Sequence, residues 1–290
     1  GLACLDYLFK VAELPAGGGK FFAQDFVAAP GGPAAAASIA VAGLGHEALF
    51  LGRLGEDAVG RDVLRHLNER GVDASGVRLI PGQSSQVSSV VVDDAGERQI
   101  INFSSALLDS DPTWLPEETI AGADFVLTDV RWPEGAAAAL KLACSHGVPS
   151  LIDADIAPID ISELVHLATY AVFSERGLES VSGAVDLAEG LRIVDGQGGT
   201  FVAVTAGVKG IYWLEAGRRM HCPAETIEVI DTCGAGDVFH GAFAVAMVEK
   251  MEMGAAMRFA AATAALKCLR FGGSTGVPDR SAVDHLLSGR

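Results

Sequence analysis

The sequence predicts an α/β domain, and three observations carry that prediction. Strand-like and helix-like segments alternate along the 290 residues. Half of the residues are hydrophobic, enough to fill a sizeable core. An apolar run, Thr226 to Ile230, leads through Gly234-Ala235-Gly236 into a second apolar segment, Val238 to Met247. That order reads as strand, tight turn, helix. No repeat or low-complexity linker divides the chain, so one domain over residues 1–290 is expected.

The net charge of −16 argues against nucleic acid or an anionic membrane surface as a partner. It also means that a site for an anionic substrate must be locally cationic. Cys4, Cys144, Cys222, Cys233 and Cys268 are scattered without a CxxC spacing, which fits reduced thiols in a cytoplasmic protein. The seven histidines show no metal-binding spacing. No apolar run approaches the roughly 20 residues that span a bilayer. The chain opens at Gly1 without methionine or signal peptide, and Gly1 to Asp6 reads as the end of a first strand. Further residues of that strand are expected upstream of this sequence.

The turn at 231–237 carries the chemistry. Its glycines let the backbone bend sharply and leave N–H groups uncovered. The start of a helix adds unpaired N–H groups and the positive end of its dipole. Together these make a seat for a phosphate oxygen. Asp237 falls in the first helical turn. A carboxylate there is poorly placed to bind an anion and well placed to take a proton from an attacking hydroxyl. The same residue fits a plain capping acid. The run Asp231-Thr232-Cys233-Gly234-Ala235-Gly236-Asp237 resembles the DTxGAGD signature of the ribokinase-like (PfkB) carbohydrate kinases and meets each fixed position. The resemblance implies a three-layer α/β/α domain with a small β-sheet lid, and ATP with Mg2+ as phosphoryl donor. It implies an anion hole at Gly234, Ala235 and Gly236 and a catalytic base at Asp237. A monovalent cation near Asp231 and Thr232 is implied as well.

The remaining elements follow in chain order. Asp6 resembles the family's sugar-holding aspartate, since two acceptor oxygens suit a polyol; the residue alone fits a loop aspartate. Residues 7–27, with Gly17-Gly18-Gly19-Lys20, read as a strand pair around a glycine turn. In the family this region, with roughly 84–105, forms the lid, and Lys20 lies on or beside it. Gly31-Gly32-Pro33 opens a nearly all-apolar helix to about Leu44. It resembles the family's first signature, in which the Gly31-Gly32 backbone approaches the sugar. The usual asparagine is replaced by Ala36, so one common sugar hydrogen bond is absent. Ala48 to Gly52 reads as a strand, and Gly55 to Gly60 as a structural loop before a helix at Arg61–Arg70. Residues 86–103 alternate, turn at Asp94-Ala95-Gly96 and return, which is a hairpin signal. Asn102 closes its second arm, as a turn residue or facing a sugar.

Phe125 to Thr128 reads as a buried strand followed by Asp129, Arg131 and a helix at Glu134–His146. Ligands of open α/β sheets bind at carboxyl ends of strands. Arg131 fits an anion clamp there and equally a salt bridge with Asp129 or Glu134. Strands follow at Ser150–Ile152, with Asp153 and Asp155 at the end, at Ala171–Phe173 and at Thr200–Thr205. The family's NxxE motif is broken, with Ser174 and Gly177 at its ends; the adjacent Glu175 is left for a metal, beside Asp231 and Thr232. Thr205, Gly207, Lys209 and Gly210 resemble the family's TxGxxG loop under the nucleotide. In the helix Ala255–Arg270, Ala264 and Lys267 correspond to residues bordering the adenine.

Within the family, GGP without the asparagine, QIINF, TDVRW, FSERGL and DTCGAGDVFHGA are most similar to the sulfofructose kinases. That implies ATP-dependent phosphorylation of 6-deoxy-6-sulfofructose at O1, with Lys20, Asn102 and Arg131 around the sulfonate. Two cations suit an anionic sugar, because charge-assisted hydrogen bonds offset the cost of burying its charge. A kinase of fructose or 2-keto-3-deoxygluconate, and a non-catalytic sensor on the same fold, are the alternatives. A homodimer through exposed lid edges is expected.

Overall fold

The computed structural model describes all residues except 106, 107, 158, 197 and 290. The chain divides into two compact units. One comprises Leu2–Asp109, Thr226–Ala242 and the residues from 262 onward; the other comprises Ser110–Glu225 and Phe243–Ala261.

In the first unit, β1 (Cys4–Lys10) pairs antiparallel with β2 (Asp25–Gly31). Asp6 therefore lies inside a strand, not after one; β1 runs on through the buried Leu8 to Lys10. The helix α1 (Pro33–Gly43) starts on proline at its first position and buries Ala34 to Ala37, Ile39 and Ala40. The expected strand at 48–52 is two short ones. β3 (Ala48–Leu49) and β4 (Gly52–Gly55) pair in parallel with β5 (Val72–Asp73) and β6 (Val77–Ile80), across the helix α2 (Ala58–Glu69). The hairpin of β7 (Val87–Val92) and β8 (Arg98–Phe103) joins β1 through a parallel β1–β7 pairing. The resulting sheet has the order β2-β1-β7-β8. One face of it buries Leu8, Ala29, Val90 and Val92 with Cys233; a second cluster joins Leu5, Ala35 and Ile39 to Leu54, Val63 and Leu67.

The second unit is built on a six-stranded sheet. Its elements in chain order are α3 (Glu117–Ala121), β9 (Val126–Asp129), α4 (Pro133–Ser145), β10 (Ser150–Ala154), α5 (Ser162–Leu167), β11 (Tyr170–Ser174), α6 (Glu175–Ser182), α7 (Leu187–Asp195), β12 (Phe201–Thr205), β13 (Ile211–Glu215) and β14 (Arg218–Cys222). The strand order is β14-β13-β12-β11-β10-β9, parallel from β9 to β12 and closed by an antiparallel hairpin. That hairpin, β13–β14, was not anticipated from the sequence. Alternate residues of each strand serve opposite faces. Ile152, Ala171, Phe173, Val202 and Val204 pack against Leu140, Leu164, Leu178 and Leu191 of α4 to α7. On the other face, Tyr170 meets Phe243 edge-on, with ring centroids 5.4 Å apart. Helices therefore cover both faces. Phe243 belongs to α8 (Ala235–Val248); α9 (Met253–Lys267) and α10 (Arg280–Ser288) complete the chain.

The expected strand at Thr226–Ile230 does not form. The N–H groups of Ile230 and Asp231 both donate to the Cys268 carbonyl, at 2.8 and 3.2 Å, a convergence that no strand ladder makes. Among the described residues, no helix is long and apolar enough to cross a membrane.

The loop at 55–60 is structural, as its sequence suggests. Asp57 caps α2, accepting from Gly60 N at 2.7 Å, and it also takes Ser85 N at 2.9 Å and Ser85 Oγ at 2.7 Å. Burial pushes its carboxyl up, but these hydrogen bonds outweigh burial and hold it below its ordinary range. A depressed folded-state pKa stabilises the fold above the unfolded value, and the benefit fades as pH falls through the folded one. Asp57→Ala should therefore cost about 1–2 kcal/mol at neutral pH, as a lost cap does. Denaturant melts should show the gap between variant and wild type narrowing in acid.

Candidate active site

The turn at 231–237 is anchored from below. Asp231 is fully buried. Its Oδ1 accepts Cys233 N at 2.8 Å, and its Oδ2 accepts Gly272 N at 3.1 Å and Gly273 N at 2.9 Å. Lys267, also fully buried, donates to the Asp231 carbonyl at 2.8 Å and lies 3.3 Å from Oδ2. Above this base the chain reverses at Gly234, whose φ of 77° lies where side chains are strained. Ala235 N then bonds Thr232 O at 3.2 Å and Val238 N bonds Gly234 O at 2.9 Å, which starts α8.

The upper side of the turn is open. A Cβ on Gly236 would meet nothing within 4 Å, and one on Gly234 would meet only Asp237 Oδ2, at 3.7 Å. The amides of the first helical turn have no carbonyl of their own helix to bond. Asp237 is half-buried, with its carboxylate beside that surface. The arrangement offers oriented N–H dipoles to an anion and a carboxylate within reach of whatever approaches it. Cys233 does not compete as a nucleophile. Burial first, then repulsion from Asp6 and Asp231, push its thiol up to about 12.

Asp6 belongs to the same unit. A side chain on Gly31 would overlap its carboxylate, so the glycine at the end of β2 is fixed by Asp6 itself. Cys4 Sγ donates to Asp6 Oδ1 at 3.2 Å. Burial drives the Asp6 carboxyl above its ordinary range, the hydrogen bonds from Cys4 and Ser88 oppose this, and Asp231 adds to it. Gly32 caps α1 at a φ of 93°. Ala36 is buried in α1 and offers no polar group. Lys20, in the β1–β2 connection, and Asn102, on β8, are exposed.

Two contacts in this unit were not anticipated. Arg98 on β8 donates to the Thr232 hydroxyl, and Gly96 in the hairpin turn lies against Val229. The tip of the hairpin thus touches the turn at 231–237. Arg98 stands in an ordinary charged turn, Glu97-Arg98-Gln99, and nothing in that pattern singles it out.

The second unit carries the other expected residues. Arg131 follows β9 and is held at both ends: its backbone N–H donates to Asp129 at 2.8 Å, and its guanidinium to Asp155 Oδ2 at 2.5 Å and Ile156 O at 2.8 Å. Ser174, in place of the family's asparagine, donates to Asp155 Oδ1 at 2.7 Å and caps α6 through Gly177 N at 3.0 Å. Thr205 Oγ1 bonds Phe173 O at 3.2 Å, between neighbouring strands. Gly207 (φ 52°) to Lys209 form a 3₁₀ turn, closed by a bond from Ala206 N to Gly210 O at 2.8 Å. Lys209 pairs with Glu175 at 2.8 Å.

The three side chains expected at a metal already have other partners. Glu175 is paired with Lys209, Asp231 is enclosed by amides and an ammonium, and the Thr232 hydroxyl accepts from Arg98. Ala264 lies half-buried in α9, and Lys267 of the same helix points to Asp231 instead of an open surface.

The chain is similar to known proteins along nearly its whole length. Residues 1–280 match the model of the pfkB family carbohydrate kinases. The chain is 28% identical to ribokinase of Bacillus subtilis (strain 168) over 291 residues, covering 99% of this chain and 98% of that one. Among solved structures, a ribokinase candidate from Agrobacterium tumefaciens superposes with a TM-score of 0.94 at 38% identity, covering 99% of this chain and 95% of its own. Arabidopsis thaliana ribokinase, solved with ribose and ATP, gives 0.82 at 28% identity, over 99% and 96% of the two chains. The chain belongs to the pfkB family of carbohydrate kinases, ATP-dependent phosphotransferases of the ribokinase-like α/β fold.

Proposed function

We propose that this kinase transfers the γ-phosphoryl group of ATP to the O1 hydroxyl of 6-deoxy-6-sulfofructose, with Asp237 as general base. The observation that carries the chemistry is the turn at Gly234–Gly236, open above its two glycines, with the Asp237 carboxylate beside it. The hydroxyl oxygen attacks the γ-phosphorus as the bond to the bridging oxygen of ADP breaks. Its proton passes to Asp237, and the turn amides stabilise the charge on the group in flight. Asp6 and the Gly31-Gly32 backbone orient the sugar. Thr205, Gly207, Lys209 and Gly210 support the nucleotide, with Ala264 near its base. Magnesium, which the family uses with ATP, neutralises phosphate charge.

The choice of sugar rests on charge and on one missing amide. Ala36 removes a polar contact to a neutral sugar, while Lys20 and Asn102 present exposed polar ends. Arg131 spends part of its five-donor fork on Asp155 and Ile156, which fixes its plane and leaves further donors for a sulfonate. Ribose is the second reading, favoured by the ribokinases among the relatives. The four-stranded sheet serves as the lid and as a homodimer contact. Every residue of its edge strand β8 is exposed, including Ile100, Ile101 and Phe103, and an apolar edge strand of this kind calls for a second copy.

Three variants test this reading. Asp237→Asn should lower kcat by roughly 10²–10⁴-fold, the range of a lost general base; near-wild-type turnover would sink the assignment. Arg131→Ala should raise KM for the sulfonated sugar far more than for fructose, and an equal effect on both would remove the clamp. Asp6→Asn should weaken sugar binding without loss of stability. Its raised folded-state pKa makes the ionised group a cost that appears as pH climbs through the unfolded value toward the folded one. The variant should melt no lower than wild type at neutral pH, with any gain vanishing below about pH 4, the ordinary carboxylate range.

A further inference from the structure

A lysine with no solvent exposure is rare, and such a charge persists only with a partner. Lys267 ends α9, and its ammonium donates to the Asp231 carbonyl at 2.8 Å and lies 3.3 Å from the carboxylate. Asp231 is equally enclosed, with Oδ1 on Cys233 N and Oδ2 on Gly272 N and Gly273 N. This pair lies directly under the anion turn. Cys268, next to Lys267, receives the N–H groups of Ile230 and Asp231, and Thr232 to Asp237 follow without a break. The Asp231 carbonyl belongs to the rigid, planar peptide that opens the turn, so a cation on that oxygen fixes the plane from which the turn departs.

A monovalent cation beside Asp231 would need the same carbonyl and carboxylate. Those atoms already face an ammonium, and no part of the carboxylate reaches solvent. The residues do not fit a metal ion at this place.

We infer that Lys267 is a positioning residue whose ammonium acts as a built-in cation, holding the 231–237 turn in its phosphate-binding shape without a monovalent metal ion. This deepens the kinase reading and rests on the turn being the phosphoryl seat. The lysine touches neither sugar nor nucleotide; it acts through Asp231 on the amides of Gly234 to Gly236.

The test has two independent arms. In the first, turnover of the unaltered protein is measured in potassium, ammonium, sodium and tetramethylammonium chloride at one ionic strength. Equal rates are expected; activation by potassium or ammonium over tetramethylammonium would overturn the inference. In the second, Lys267→Met and Lys267→Ala are compared by hydrogen exchange of the peptide containing 230–237 and by steady-state kinetics. Faster exchange concentrated in that peptide is expected, with kcat lowered roughly 10²-fold, the order that a small misplacement of reacting groups costs, and KM for the sugar little changed. Methylammonium should restore protection and turnover in the alanine variant, which leaves room for it, and not in the methionine variant, which fills the space. Exchange unchanged in both variants would overturn the inference. Exchange, and its rescue by methylammonium, are read without turnover, so they judge the clamp even if the proposed sugar is wrong. The salt series uses wild-type protein, so it stands even if both variants misfold; should the proposed sugar give no turnover, the series is run on ribose.

Discussion

A transferring phosphoryl group is an anion, and this chain carries a net charge of −16. The structure depends on how that conflict is resolved. In the proposed site, attraction is supplied locally and mostly by backbone: a glycine at positive φ, the start of α8 and open space above them. Backbone dipoles can be aimed at a phosphate only if the turn cannot relax, and here its first residue is pinned by three amides and an ammonium, all out of water. Electrostatic stabilisation of this kind is effective because the donors are oriented before the charge develops.

The residues proposed to bind the sugar are likewise held in advance, each within its own unit. Gly31 is small because the Asp6 carboxylate occupies the place of its side chain. Arg131 is aimed by Asp155 and Ile156, and Asp155 is in turn held by Ser174. Reading Ser174 as a damaged metal motif overlooks this: its hydroxyl caps α6 and braces the partner of Arg131. Asp6 is the costly member, a carboxyl kept in a setting that disfavours its charge. Burial of that kind fits the sugar-binding role proposed for it.

Much of the fold was legible because period and punctuation agree. The alternation at 87–103 became β7 and β8, the apolar helix after Gly32-Pro33 became α1, and Gly234 marked a true turn. The failures have physical causes. Thr226–Ile230 has the composition of a strand, but its last amide goes to the end of α9, a partner 38 residues away that no local pattern reveals. Lys267 read as a residue near the adenine by resemblance, and only tertiary structure shows the carboxylate that admits its charge to the interior. Arg98 was missed because an arginine in a charged hairpin carries no signal of its partner.

The most direct test of the account is ADP release with ATP and magnesium, comparing 6-deoxy-6-sulfofructose with ribose, fructose, fructose 6-phosphate and 2-keto-3-deoxygluconate. The account predicts the highest kcat/KM for the sulfonated sugar, with the product phosphorylated at O1. A preference for ribose or another neutral sugar would contradict the anionic-substrate reading, and no turnover with any of them would contradict the proposed chemistry at Asp237.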